Sequence, residues 1–188
     1  MEFNKVVITG MGVVSCLGHN VQQMWQNLLN GKSGVKMITH FDTTDFATKF
    51  AGEITDFDPL QYMDKKFVNR SERYDQYSMA AAIQALKMAD LSPENMSVEQ
   101  KENASVLIGS GMGGVETLYQ NCVRFSESGP KKVRPSFIPG SILNMASGKV
   151  AMHFGFMGMN YAICSACATS AHAIMSSFDA IRNGRCDI

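Results

Sequence analysis

The segment Asn160-Tyr-Ala-Ile-Cys-Ser-Ala-Cys-Ala-Thr-Ser-Ala-His172 decides how the chain is read. Through Cys164 it is short and apolar, which predicts a buried strand. From Ala168 to Asn183 small and apolar residues form a long helix, and Gly184 suits its C-cap. The connection is very short, so a side chain in it stands at a helix N-terminus. There the unpaired N–H groups and the positive end of the helix dipole favour a thiolate. The same N–H groups can hold a carbonyl oxygen that becomes an oxyanion during acyl transfer. Cys167 occupies this junction, and Ser165, Ala166, Ala168 and Ser170 leave room for a substrate. Cys164 falls on the strand end, where burial is expected.

The same alternation extends outward. Ala104–Ile108 reads as a second buried strand, followed by Gly109-Ser-Gly-Met-Gly-Gly114 and a helix from Val115 to Phe125. Lys5–Thr9 is short and β-branched and predicts a further strand, with Gly10-Met-Gly12 as a tight turn. Val21, Met24, Trp25, Leu28 and Leu29 fall at helical spacing and end at Gly31. Arg73–Ala89 is an Ala-rich helix. Ser33–Pro59 is irregular, with a short strand at Phe50–Ile54. Leu91–Glu102 is a polar connection, Ser126–Pro139 a proline-marked loop, and Ser141–Phe154 another helix. Helical crossovers between buried strands define an α/β fold with a mostly parallel sheet. Arg185–Ile188 looks like the start of another strand, so the natural protein is expected to continue.

Composition narrows the function. Of 188 residues, 45% are hydrophobic and 18% charged, with 17 basic and 17 acidic side chains. That is an ordinary globular domain. The balance argues against a general nucleic-acid or membrane-surface binder, which needs a basic face. The N-terminus lacks a signal-peptide pattern, and no apolar run is long enough to span a bilayer. The 5 cysteines are an odd number without disulfide-framework spacing, which fits a reducing cytoplasm. Fourteen methionines, scattered along the chain, read as core filler rather than metal ligands.

The residues around Cys167 leave several chemistries open. Cys164-Ser-Ala-Cys167 is a C-x-x-C, as in a redox dithiol, but lacks the aromatic or proline context of such sites. A zinc site would need a second such pair or suitable histidines. A structural cysteine and a nucleophile fit the local residues equally well.

The motifs in order carry a resemblance. Ser165-Ala-Cys-Ala-Thr-Ser-Ala-His172 is similar to the nucleophile motif of the beta-ketoacyl-acyl-carrier-protein synthases, the elongation condensing enzymes of fatty acid synthesis. Val6-Val-Ile-Thr-Gly-Met-Gly-Val-Val-Ser15 resembles their opening strand. Gly31-Lys-Ser-Gly34, Gly109–Gly114, Pro135-Ser-Phe-Ile-Pro139 and Asn144-Met-Ala-Ser-Gly148 resemble later family motifs, in family order, over the whole chain.

The resemblance implies a thiolase-like layered α/β/α/β/α fold, of which residues 1–188 are the first half. It implies an acyltransferase with Cys167 as the acyl-accepting nucleophile, and decarboxylative condensation with malonyl carrier protein. The partner histidines and lysine would come from a second half, so the fragment alone is expected to be inactive. No dissociable cofactor or metal is implied. Acyl carrier protein is the implied partner, and a homodimer the implied assembly. A thiol redox protein and a non-catalytic carrier-binding relative are the alternatives.

Two further features take meaning from the resemblance. Gly109-x-Gly-x-x-Gly114 follows a strand and precedes a helix, as a dinucleotide loop does. No second strand with a terminal acidic residue follows, and Glu127 and Ser128 fall in the expected loop. The family instead lines its acyl pocket here, which makes Met112 and Phe137 acyl-chain contacts. The basic runs at Lys65-Lys66 with Arg70, and at Lys131-Lys132, would by themselves be solvated faces. The family docks an acidic carrier protein through such residues, so Lys66, Arg70, Lys131 and Lys132 become carrier-binding candidates. His172 is expected to be packed on another face of its helix, and none of the 4 histidines stands in a metal pattern.

Overall fold

A computed structural model describes residues 3–188. Helix α1 (Val21–Leu29) begins at Asn20, whose side chain accepts from the Gln23 N–H, and closes at Gly31 with φ +64°. Strands β1 (Lys36–Met37) and β2 (Phe50–Ala51) form an antiparallel ladder. Asp64 caps the short α2 (Lys65–Val68). The capping box of Glu72 and Asp75 opens α3 (Arg73–Met88), the longest helix among the described residues. Ser97 and Gln100 form a second capping box on α4 (Val98–Glu102), inside the segment read as a polar connection.

Strand β3 (Val106–Leu107) leads through the glycine-rich loop into α5 (Val115–Ser128). Helix α5 takes in Glu127 and Ser128, which were expected in loop. Then come α6 (Phe137–Ser141), α7 (Met145–Phe154), β4 (Asn160–Tyr161) and α8 (Thr169–Arg182). The helix expected from Ser141 starts instead at Met145, and the extended Ile142 parts it from α6, which begins inside the segment read as loop. The Tyr74 hydroxyl donates to the Ile142 carbonyl at 2.7 Å and holds that break.

β3 and β4 run parallel, with α5 to α7 as their crossover. β3 is central. The Val106 N–H donates to Met159 O on one side, at 2.9 Å, while the Ser105 N–H donates to Ile188 O on the other, at 2.7 Å. The Asp187 N–H donates to Asn103 O, so the last residues run beside the segment leading into β3, although Arg185–Ile188 forms no strand. The core sits between α3, α7 and β3, built on Met63, Met79, Ala80, Val106, Val150 and Ala151.

The opening segment departs from expectation. Lys5–Thr9 forms no strand, and Ile8 is 79% exposed. β-branched composition favours extended backbone, but a ladder needs a neighbour with free N–H and C=O groups. The flanks of β3 are taken by β4 and by the last residues, and the Asn4 N–H instead meets Arg182 O at the end of α8. Gly10 and Gly12 are not a left-handed turn, since neither has positive φ. They let the backbone cross α3, where an added Cβ would collide with the carbonyls of Ala85 and Ala81.

Candidate functional site

The turn between β4 and α8 is the most constrained short segment near the candidate residues. Ala166–Ala168 form a single 3-10 turn, and Ala166 has φ +51°. A left-handed alanine costs about 1–2 kcal/mol, so its surroundings must impose it. They do so from both sides. The Ser165 N–H donates to Thr169 Oγ1 at 2.8 Å, and Ser165 Oγ lies 2.6 Å from His172 Nδ1. The Ala168 N–H donates back to Ser165 O at 3.1 Å. Thr169 is buried, while Cys167 is exposed at the tip. The turn thus presents a thiol ahead of the first N–H groups of α8.

The glycine-rich loop forms the adjoining wall. Gly109 packs on Thr169 and on the Ile163 carbonyl, where any Cβ would collide with the threonine methyl. The Cys164 thiol donates to Gly111 O at 3.4 Å. Gly114 packs on Gly140, and its N–H donates to Ser141 O, so the loop also touches α6. Met112 at the loop tip is 71% exposed, and Phe137 opens α6 half-buried.

Two expectations are corrected here. Cys164 is exposed, not buried, because the chain leaves β4 after Tyr161 and turns its sulfur toward the glycine loop. His172 is exposed and bonded to Ser165 rather than packed, because the 3-10 turn brings Ser165 back over the first turn of α8. Sequence reading missed this pair. Its available signal was a Ser in the turn with a Thr and a His one helical turn apart just beyond it.

The basic candidates fall in two places. Lys66 and Arg70 are exposed around a cleft of about 340 Å³, completed by Asp64, Phe67, Lys149, Met152 and His153. Lys131 and Lys132 stand on a separate 3-10 turn after α5. That turn is tied down where the Arg134 N–H donates to Asn121 Oδ1 at 2.9 Å. Two other histidines have structural partners: His19 meets Asp56 at 3.2 Å, and His40 meets Arg73 at 3.2 Å. Among the described residues no three His, Cys, Asp or Glu side chains gather as a metal site, and no helix is long and apolar enough to cross a membrane.

A layered α/β chain that sets a cysteine at a strand-to-helix turn beside a glycine loop defines a class. Residues 3–188 match the family model for the N-terminal domain of beta-ketoacyl synthase, and the chain belongs to that family. It is 44% identical over 174 residues to 3-oxoacyl-[acyl-carrier-protein] synthase 2 of Coxiella burnetii, covering 93% of this chain and 41% of that protein. It is 38% identical to the chloroplastic 3-oxoacyl-[acyl-carrier-protein] synthase I of Arabidopsis thaliana, covering 98% of this chain and 39% of that one. Its backbone matches the ishigamide ketosynthase/chain length factor with a TM-score of 0.82 at 25% identity, over 96% of this chain and 44% of that one. The fold is thiolase-like, as the sequence motifs implied. The chain spans less than half the length of these relatives.

Proposed function

We propose that residues 1–188 are the nucleophile-bearing half of a beta-ketoacyl-acyl-carrier-protein synthase that elongates fatty acyl chains. The observation that carries this reading is the exposed Cys167, held on a strained turn at the start of α8 beside the glycine loop.

In the first half-reaction the Cys167 sulfur attacks the thioester carbonyl of an acyl carrier protein. The carbonyl π-bond closes onto oxygen, and the Cys167 backbone N–H donates to that oxyanion. The intermediate collapses and breaks the bond to the carrier thiol. That thiol departs with the proton Cys167 has lost, leaving the acyl group on Cys167. In the second half-reaction malonyl carrier protein releases carbon dioxide. The electron pair left on carbon attacks the Cys167 thioester and expels the cysteine sulfur. The product is a beta-ketoacyl carrier protein two carbons longer. The histidines and lysine that assist decarboxylation belong to the second half of the enzyme.

Met112 and Phe137 contact the acyl chain, reached from the loop that packs on both α6 and the cysteine turn. Lys66, Arg70, Lys131 and Lys132 steer the acidic carrier protein to the site, an attraction that weakens with salt. The working assembly is a cytoplasmic homodimer. The names of the relatives, which specify acyl-carrier-protein substrates, support the partner.

The test is adduct mapping on the complete enzyme incubated with acyl carrier protein. Cys167→Ala should abolish the acyl adduct, and Cys164→Ala should leave it. An adduct surviving Cys167→Ala would overturn the assignment.

A further inference from the structure

The floor of the cleft between α2 and α7 holds an ion pair that the proposed chemistry does not use. Lys149, on α7, is 8% exposed, and Asp75, on α3, is 1% exposed. The lysine ammonium pairs with Asp75 Oδ2 and also donates to the Arg70 carbonyl at 3.1 Å. Asp75 Oδ2 accepts the Glu72 N–H at 3.0 Å. One buried contact therefore grips both ends of the short Arg70–Glu72 turn and fastens it to α7. Asp75 Oδ1 has no hydrogen-bond partner among the described residues, so the carboxylate depends on Lys149.

Such a pair is a poor way to gain stability, because two desolvated charges do no better than well-packed apolar side chains. Its consequence is positional. At the Arg70 backbone a buried α7 side chain holds the basic segment, and the rims of the same cleft carry the Lys66 and Arg70 side chains. The neighbouring bonds of this turn are local: the Ser71 hydroxyl donates to Phe67 O at 2.8 Å, and Gln76 Nε2 donates to Ser71 O at 3.3 Å. They tie the turn to α2 and α3, whereas Lys149 ties it to α7.

We infer that Lys149, anchored by Asp75, is a positioning residue that sets the Arg70 side chain in the orientation that meets the carrier protein. This rests on the docking role proposed above for Lys66 and Arg70. Lys149 itself touches neither substrate nor partner; it acts through the Arg70 backbone.

A double-mutant cycle on the complete enzyme tests it, read as the Kd for holo acyl carrier protein. The perturbed background is Lys149→Met with Asp75→Leu, which removes both charges and keeps apolar volume so that folding is retained. Arg70→Ala should weaken binding about tenfold in the native background but less than about twofold in the perturbed one, because Arg70 has already lost its placement. An equal loss in both backgrounds overturns the inference. Lys149→Arg, which keeps the charge and a donor for the Arg70 carbonyl, should hold Kd within about threefold of the native value. Failure of that rescue also overturns it. If Arg70→Ala has no effect in the native background, the docking reading itself fails, and the positioning role falls with it.

Discussion

Ser165 Oγ lies 2.6 Å from His172 Nδ1, which ties the residue before the strained alanine to the first turns of α8. With Thr169 accepting the Ser165 N–H, the tie fixes the backbone that carries Cys167. Ser165→Ala in the complete enzyme should therefore slow alkylation of Cys167 by iodoacetamide by about tenfold, equivalent to about 1.4 kcal/mol in the barrier. His172→Phe should do the same. The measurement is the pseudo-first-order labelling rate. Unchanged rates in both variants would mean that the pair does not hold the turn.

The strain at Ala166 makes a prediction of opposite sign for stability. With φ at +51°, Ala166→Gly relieves a backbone penalty of about 1–2 kcal/mol and gives back part of it in unfolded-chain entropy. The variant should be more stable by about 0.5–1 kcal/mol in urea unfolding. Ala166→Val, β-branched in the same conformation, should be less stable than the native chain. A destabilised glycine variant would show that the left-handed conformation is not strained.

Much of this was legible in the sequence, because the signals are local. Helices α1, α3, α5 and α8 follow from apolar spacing, good helix formers and end signals such as Gly31 and Gly184. Cys167 stands out because a short strand runs into small residues at a helix start. What was not legible depends on contacts distant in sequence. Ile142 is extended between α6 and α7, and its carbonyl is bound by Tyr74, 68 positions away. Lys5–Thr9 has strand composition, but β-propensity cannot say whether a partner edge is free. The glycines at 10 and 12 look like turn residues, and only the passage of α3 shows what they are for. Nothing local marks Lys149, whose partner Asp75 lies 74 positions away.

The crossing of the opening segment over α3 is testable directly. Gly10→Ala and Gly12→Ala each drive a methyl group into a helix carbonyl, and backbone cannot yield as a side-chain tip does. Each should cost about 2–3 kcal/mol or more, in the range of overpacked cores. Gly31 is a useful contrast: its φ is +64°, but no described atom lies within 4 Å of the place a Cβ would take. Gly31→Asn, tolerant of that conformation, should change the urea midpoint little. Equal effects at all three positions would argue against the close crossing.

Tyr74 gives the fold a pH signature. Burial, reinforced by the Asp75 and Glu72 carboxylates, pushes its phenol well above the ordinary 10.0. The folded protein then keeps the proton at a pH where the unfolded chain releases it. This contribution is complete below pH 10 and fades as pH rises beyond that value. Tyr74→Phe should therefore be less stable than the native chain at pH 8, and the gap should narrow at pH 11. Urea titrations of the two proteins at both pH values decide it, and a gap that stays constant would show that the phenol does not titrate with folding.

The buried pair beneath the basic cleft makes the sharpest energetic contrast. Lys149→Met alone leaves Asp75 charged, almost fully buried, and supported by little more than the Glu72 N–H. An uncompensated buried charge of this kind costs about 3–5 kcal/mol. Asp75→Leu alone strands the ammonium against the Arg70 carbonyl, a neutral acceptor, and should cost a similar amount. Combining the two removes both charges, so the loss should shrink to within about 1–2 kcal/mol of the native protein instead of doubling. Urea unfolding of the native, single and double variants of the complete enzyme closes the cycle. A double variant as unstable as the sum of the singles would mean that Lys149 and Asp75 are not coupled, and that the turn carrying Arg70 is held by something else.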